Sequence, residues 1–109
     1  MNKQLYRGSL ETIILKLLSD KKEMYGYEIT QVVKEMTDGE LVVTEGALYP
    51  TLHKLEAKGI LSTETKNIGN RYRKYYSITE KGQTEVEKML TEMRNYLSTI
   101  QLILNTKTI

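Results

Sequence analysis

Residues 66–74 read Lys-Asn-Ile-Gly-Asn-Arg-Tyr-Arg-Lys, four bases and no acid. Such a run can neutralise phosphates, and arginines at its tip can enter a narrow minor groove. His53 is the single histidine and the chain has no cysteine. Thiolate chemistry and multi-histidine metal sites are therefore excluded. The sequence contains no paired nucleophile and base and no glycine-rich phosphate loop. The residues point to binding and not to catalysis, with no cofactor.

The basic run has an acidic neighbour. Residues 49–74 hold six bases and two acids, whereas residues 23–48 hold one base and six acids. That asymmetry suggests an anionic partner touching one part of the surface. A chain of 109 residues with 39% apolar and 28% charged residues fits one globular domain with room for an appended element. No stretch approaches the ~18 apolar residues of a membrane span. The start, Met1-Asn2-Lys3-Gln4, lacks the apolar core of a signal peptide. A cytoplasmic location without membrane contact is expected.

Apolar periodicity gives the elements that must position the basic run. Leu10, Ile13, Ile14, Leu17 and Leu18 form one helical stripe, which predicts a first helix over about 8–19. Tyr25, Ile29, Val32, Val33 and Met36 predict a second over about 25–37, stopped near Gly39. Residues 41–43 are short and β-branched and read as a small strand that can pair with the hairpin. Thr44 as N-cap, then Leu48, Leu52 and Leu55, then Gly59 predict a third helix over about 45–58. Pro50 is anomalous inside it. Residues 60–66 and 71–78, joined by turn chemistry at 67–70, predict a β-hairpin. Its tyrosines, Tyr72, Tyr75 and Tyr76, are assigned to packing, with Tyr76 and Ile78 closing the core.

After Thr79, residues Val86, Leu90, Met93, Leu97, Ile100 and Leu104 recur at four and three. That is a coiled-coil seam, widened by Met89, Tyr96 and Ile103. The chain offers only Leu5, Tyr6 and the first helix to cover it. A second copy on a two-fold axis is the simplest partner. The expected fold class is mainly α with a small β-hairpin: a winged helix-turn-helix over residues 1–78 and a long dimerisation helix over 79–109.

A helix of this kind reads a major groove with its exposed face. On the third helix Gly46, Pro50, His53, Lys54 and Ala57 point away from the buried leucines. The candidate contacts to double-stranded DNA are Thr44, Gly46, Ala47, Tyr49, Pro50, His53 and Lys54, with Lys66, Asn70, Arg71, Arg73 and Lys74 on the wing. Two domains on a two-fold axis would set their helices about 34 Å apart, one turn of B-DNA. A winged-helix adaptor that binds protein is the rival reading, since fold alone does not decide function.

Several motifs occur in order. They are Arg7-Gly8-Ser9-Leu10-Glu11, Met24-Tyr25-Gly26-Tyr27-Glu28-Ile29, Glu45-Gly46-Ala47-Leu48-Tyr49-Pro50-Thr51-Leu52-His53-Lys54-Leu55-Glu56, Gly59-Ile60-Leu61, and Arg73-Lys74-Tyr75-Tyr76-Ser77-Ile78-Thr79-Glu80-Lys81-Gly82. In these the chain resembles the PadR family of bacterial transcriptional regulators, in its short form with one C-terminal helix. The family carries a proline in this helix, as here at Pro50. The resemblance implies a homodimeric repressor, often autoregulatory, on an inverted repeat. It also implies, from some relatives, a small aromatic effector at the dimer interface, held by an aromatic residue of the last helix. Here that turn holds Met93, with Tyr96 nearby and no tryptophan in the chain.

Overall fold

The computed structural model describes residues 3–108. The chain runs α1 (Lys3–Arg7), α2 (Leu10–Lys21), β1 (Glu23–Tyr25), α3 (Gly26–Met36), α4 (Glu45–Ala57), β2 (Leu61–Ile68), β3 (Arg71–Ile78) and α5 (Glu80–Asn105).

The expected stripe of α2 is buried at Leu10, Ile14, Leu17 and Leu18, joined by Leu15, while Ile13 packs at its margin. Ser9 ties α1 to α2: its backbone N–H and its Oγ both donate to the Tyr6 carbonyl, at 2.9 and 3.0 Å. Lys22 ends α2 in the left-handed region at φ 73, and the chain turns directly into β1.

The third strand of the sheet is β1, not residues 41–43. The order is β1-β3-β2, with Glu23, Met24 and Tyr25 opposite Ser77, Tyr76 and Tyr75. Both edges of β3 are thereby filled, so residues 41–43 find no ladder beside it. They still alternate inward and outward, with Leu41 and Val43 buried and Val42 exposed. Thr37 holds that loop, its Oγ1 accepting from the Leu41 N–H at 3.0 Å. The eight residues between α3 and α4 exceed the 3–4 of a tight helix-turn-helix turn.

Thr44 caps α4 as expected, accepting from the Ala47 N–H at 3.3 Å. Leu48, Leu52 and Leu55 are buried together, and Gly59 leaves the helix at φ +77. Pro50 cannot donate to the Gly46 carbonyl one turn back, yet α4 continues unbroken through it. The hairpin turn is Gly69-Asn70, both at positive φ (53 and 66), the signature of a type I′ turn whose twist suits the flanking strands.

The core joins α2, α3, α4, the sheet and the start of α5. Tyr76, Ile14, Leu15, Met24, Ile29 and Val86 are among its most enclosed side chains. Thr79 fixes the start of α5. Its Oγ1 accepts from the Gly82 N–H at 2.9 Å and donates to the Gly59 carbonyl at 2.6 Å, and its N–H donates to the Ile60 carbonyl at 2.9 Å. Gly82 then presses against the same strand root: an added Cβ would lie 2.5 Å from the Ile60 carbonyl oxygen. Gly82→Ala is expected to lower the unfolding free energy by about 1–3 kcal/mol, the usual cost of overpacking against backbone. A urea titration read by circular dichroism measures it.

Candidate nucleic-acid interface

Thr44, the cap of α4, and Gly46, Pro50, His53 and Lys54 within the helix are exposed, and Ala47 and Tyr49 are half-buried. This exposed face meets the hairpin. Tyr49 and His53 of α4 and Arg73 and Lys74 of β3 line one cleft of about 310 Å³, with Tyr27 and Tyr72 at its margin. Sequence spacing puts these residues on separate elements; the fold brings them together. The rings of Tyr49 and His53 stand 6.4 Å apart. Tyr49 is held by a contact that periodicity does not reveal. A Cβ on Gly26, the first residue of α3, would sit 2.5 Å from its Oη, so only glycine lets the ring lie there.

The second cleft, about 400 Å³, opens beside the first turn of α4. It brings Arg7 together with Thr44, Gly46, Ala47, Pro50 and Thr51. Arg7 escapes sequence reasoning as a site residue because α1 is too short to show a helical pattern. Gly46 has open space around its α-carbon, which leaves that turn of α4 free to approach another surface closely.

The wing cations are steadied by rings. The Arg73 guanidinium lies 4.4 Å from the centre of the Tyr25 ring, and Lys66 and Lys74 lie 4.9 and 5.5 Å from the rings of Tyr75 and Tyr76. Tyr25 and Tyr75 meet edge to face at 5.5 Å. Packing therefore accounts for Tyr75 and Tyr76. It does not account for Tyr72, which stands 77% exposed, because β3 is near its free tip there. Asn70 serves the turn through its positive φ, and Arg71 beside it is exposed.

Carboxylates from other elements reach the lysines. Glu11 of α2 lies 3.4 Å from the Lys54 Nζ and 3.9 Å from the Lys58 Nζ. Glu56 of α4 lies 3.7 Å from Lys74 of β3, and Glu23 of β1 accepts a hydrogen bond from Lys66 of β2. That hydrogen bond raises the Lys66 ammonium above its ordinary pKa. Burial raises the Tyr76 phenol, with the Glu56 charge adding to it, so the ring stays neutral in the core. These pairs span up to 43 residues and have no local sequence signal.

The residues expected at a dimer interface divide into two groups. Tyr6 and Val86 are buried within the subunit, and Met89 and Leu90 pack against the same core. Their surface is already largely used. Met93 and Ile100 are half-buried, while Leu5, Tyr96, Leu97, Ile103 and Leu104 are exposed, Leu104 by 74%. Leu102, outside the expected seam, is exposed too. An apolar groove of about 430 Å³ runs between α2, α3 and α5, lined in part by Ile13, Leu17, Met36, Leu90, Met93 and Leu97.

Residues 14–88 match the model of the transcriptional regulator PadR-like family. The chain belongs to this family. It is a PadR-like transcriptional regulator on a winged-helix frame, and regulation of transcription, not catalysis, is its work. It is 34% identical to a transcriptional regulator of Mycobacterium tuberculosis over 94 residues, 84% of each chain. A PadR-like transcription factor from Bacteroides fragilis is similar in structure, at a TM-score of 0.73 and 34% identity, over 92% of this chain and 94% of that one. A PadR-like regulator from Bacillus cereus superposes at 0.80 with 28% identity, over 96% of this chain and all (100%) of that one. Within this PadR-like frame the two glycines of the interface differ. Gly26→Ala is expected to lower stability by about 1–3 kcal/mol by forcing Tyr49 aside, and Gly46→Ala to cost nothing, since helix propensity favours alanine. Urea midpoints of the two variants test this.

Proposed function

We propose that the protein is a homodimeric repressor that binds an inverted repeat in double-stranded DNA. Residues 1–78 form the DNA-binding unit and residues 79–109 the dimerisation element. The observation that carries the reading is the shared cleft of α4 and the wing, where Tyr49 and His53 stand beside Arg73 and Lys74. In this reading α4 enters the major groove by the face bearing Thr44, Gly46, Ala47, Pro50 and His53. The wing, with Asn70 and Arg71 at its tip, lies over the neighbouring backbone or minor groove.

Dimerisation rests on the exposed Tyr96, Leu97, Ile103 and Leu104 of α5 and the half-buried Met93 and Ile100 among them, with Leu5 beside them in the interface. An apolar surface of this extent marks an interaction site. The groove along Leu90, Met93 and Leu97 suits a small aromatic effector at the dimer interface, with Met93 as an adaptable lining. No helix of the described residues is long and apolar enough to cross a membrane, which is consistent with work on DNA in the cytoplasm.

Binding of the purified protein to its own upstream DNA, followed against salt, tests the reading. Arg73→Ala and Lys54→Ala are expected to weaken binding and flatten the log–log salt slope by about 0.9 for each phosphate no longer neutralised, while the dimer persists by light scattering. Leu97→Asp is expected to split the dimer and abolish specific binding. A monomeric variant that kept full affinity would contradict the dimer, and a salt-independent affinity would favour a protein-binding adaptor.

A further inference from the structure

The cations of the proposed DNA face, together with Lys58 just past the end of α4, fall into two classes. Lys54, Lys58, Lys66 and Lys74 each lie within ion-pair distance of a carboxylate from another element: Glu11 for the first two, Glu23 and Glu56 for the others. The arginines do not. Arg73 stacks on Tyr25, and among the described residues neither Arg7 nor Arg71 makes an ion pair with a carboxylate. Glu11 is the most telling of the three acids. Its Oε1 is buried and accepts no hydrogen bond, a costly arrangement for a carboxylate, and the charges it faces are Lys54 of α4 and Lys58 at its C-cap.

We propose that Glu11, Glu23 and Glu56 are specificity-determining residues that occupy the interface lysines in place of DNA phosphate and so hold down sequence-independent binding. The proposal rests on the DNA-binding reading above. Non-specific affinity is almost wholly electrostatic, from lysines and arginines that neutralise phosphates and release counterions. A lysine already matched to a carboxylate gains less from a phosphate, and the freed carboxylate then repels the backbone. Specific binding also draws on base contacts and on arginines, whose forked guanidinium pairs with guanine edges or phosphates in fixed geometry. The acids therefore subtract most from the binding that carries no sequence information. Exposed ion pairs are weak enough to open when a matched groove presents its phosphates.

The test uses the full chain and a random-sequence duplex of about 30 base pairs, with affinity read by fluorescence anisotropy from about 50 to 200 mM salt. Each of Glu11→Gln, Glu23→Gln and Glu56→Gln is expected to tighten binding about two- to fivefold at the low-salt end and to steepen the salt slope. Glu87→Gln, an exposed acid of α5 outside these pairs, controls for net charge and is expected to change affinity far less. If Glu23→Gln, in a partly exposed pair at the sheet edge, and Glu56→Gln, half-buried and also bonded to Thr63 at 3.1 Å, bind no more tightly than Glu87→Gln while the wild type binds well and both variants keep the wild-type urea midpoint, the proposal is wrong and the DNA-binding reading stands. If the wild type fails to bind the duplex at low salt, both fall together.

Discussion

The outer part of α5 is left bare by its own subunit. The helix spans 26 residues, about 39 Å at 1.5 Å per residue, yet Gly82 and Val86 are the positions it buries fully. Beyond Met93 the domain covers the helix only in part, with Leu97 at the edge of the groove beside α2 and α3 and Ile100 half-buried. Tyr96, Leu97, Leu102, Ile103 and Leu104 face outward in succession. Single exposed apolar residues are ordinary, but a run of them on one helix is the mark of a missing partner. The proposed pairing of two copies follows from that constraint, and so does the arrangement of two reading heads.

A dimer helix can only direct its reading heads if it is joined to them stiffly. The join here is a short clasp at the root of the wing. Thr79 bonds to the Gly59 and Ile60 carbonyls and to the Gly82 N–H, and Gly82 lets α5 touch the Ile60 backbone. Strand β2 leaves the same clasp for the wing tip, and the turn that follows α4 reaches Gly59 within it. The direction of α5 thus fixes both α4 and the hairpin. Packing of α2 against both α4 and α5 closes the triangle.

Much of this was legible in the sequence, and the reason is local. Leu48, Leu52 and Leu55 announce the buried side of α4 by spacing alone, and Thr44 and Thr79 mark helix starts because their hydroxyls replace missing backbone acceptors. Gly69-Asn70 marks the hairpin tip because both residues tolerate positive φ. The parts that escaped are non-local. Three residues, Glu23 to Tyr25, follow a charged run and show no alternation worth reading; they become a strand because β3 has a free edge within reach. Residues 41–43 have the better β composition and lose that place. Gly26 looks like a turn residue until Tyr49 is seen against it. The acids Glu11, Glu23 and Glu56 read as solvated charge until the fold sets them beside lysines up to 43 positions away.

The most direct test of the central claim is hydroxyl-radical footprinting of the protein on its own upstream DNA. Two copies joined through the outer half of α5 should protect two mirror-related patches on one face of the duplex, centred about 34 Å apart, one helical turn. A single unpaired patch, or protection without that spacing, would contradict the paired arrangement of α4 and wing.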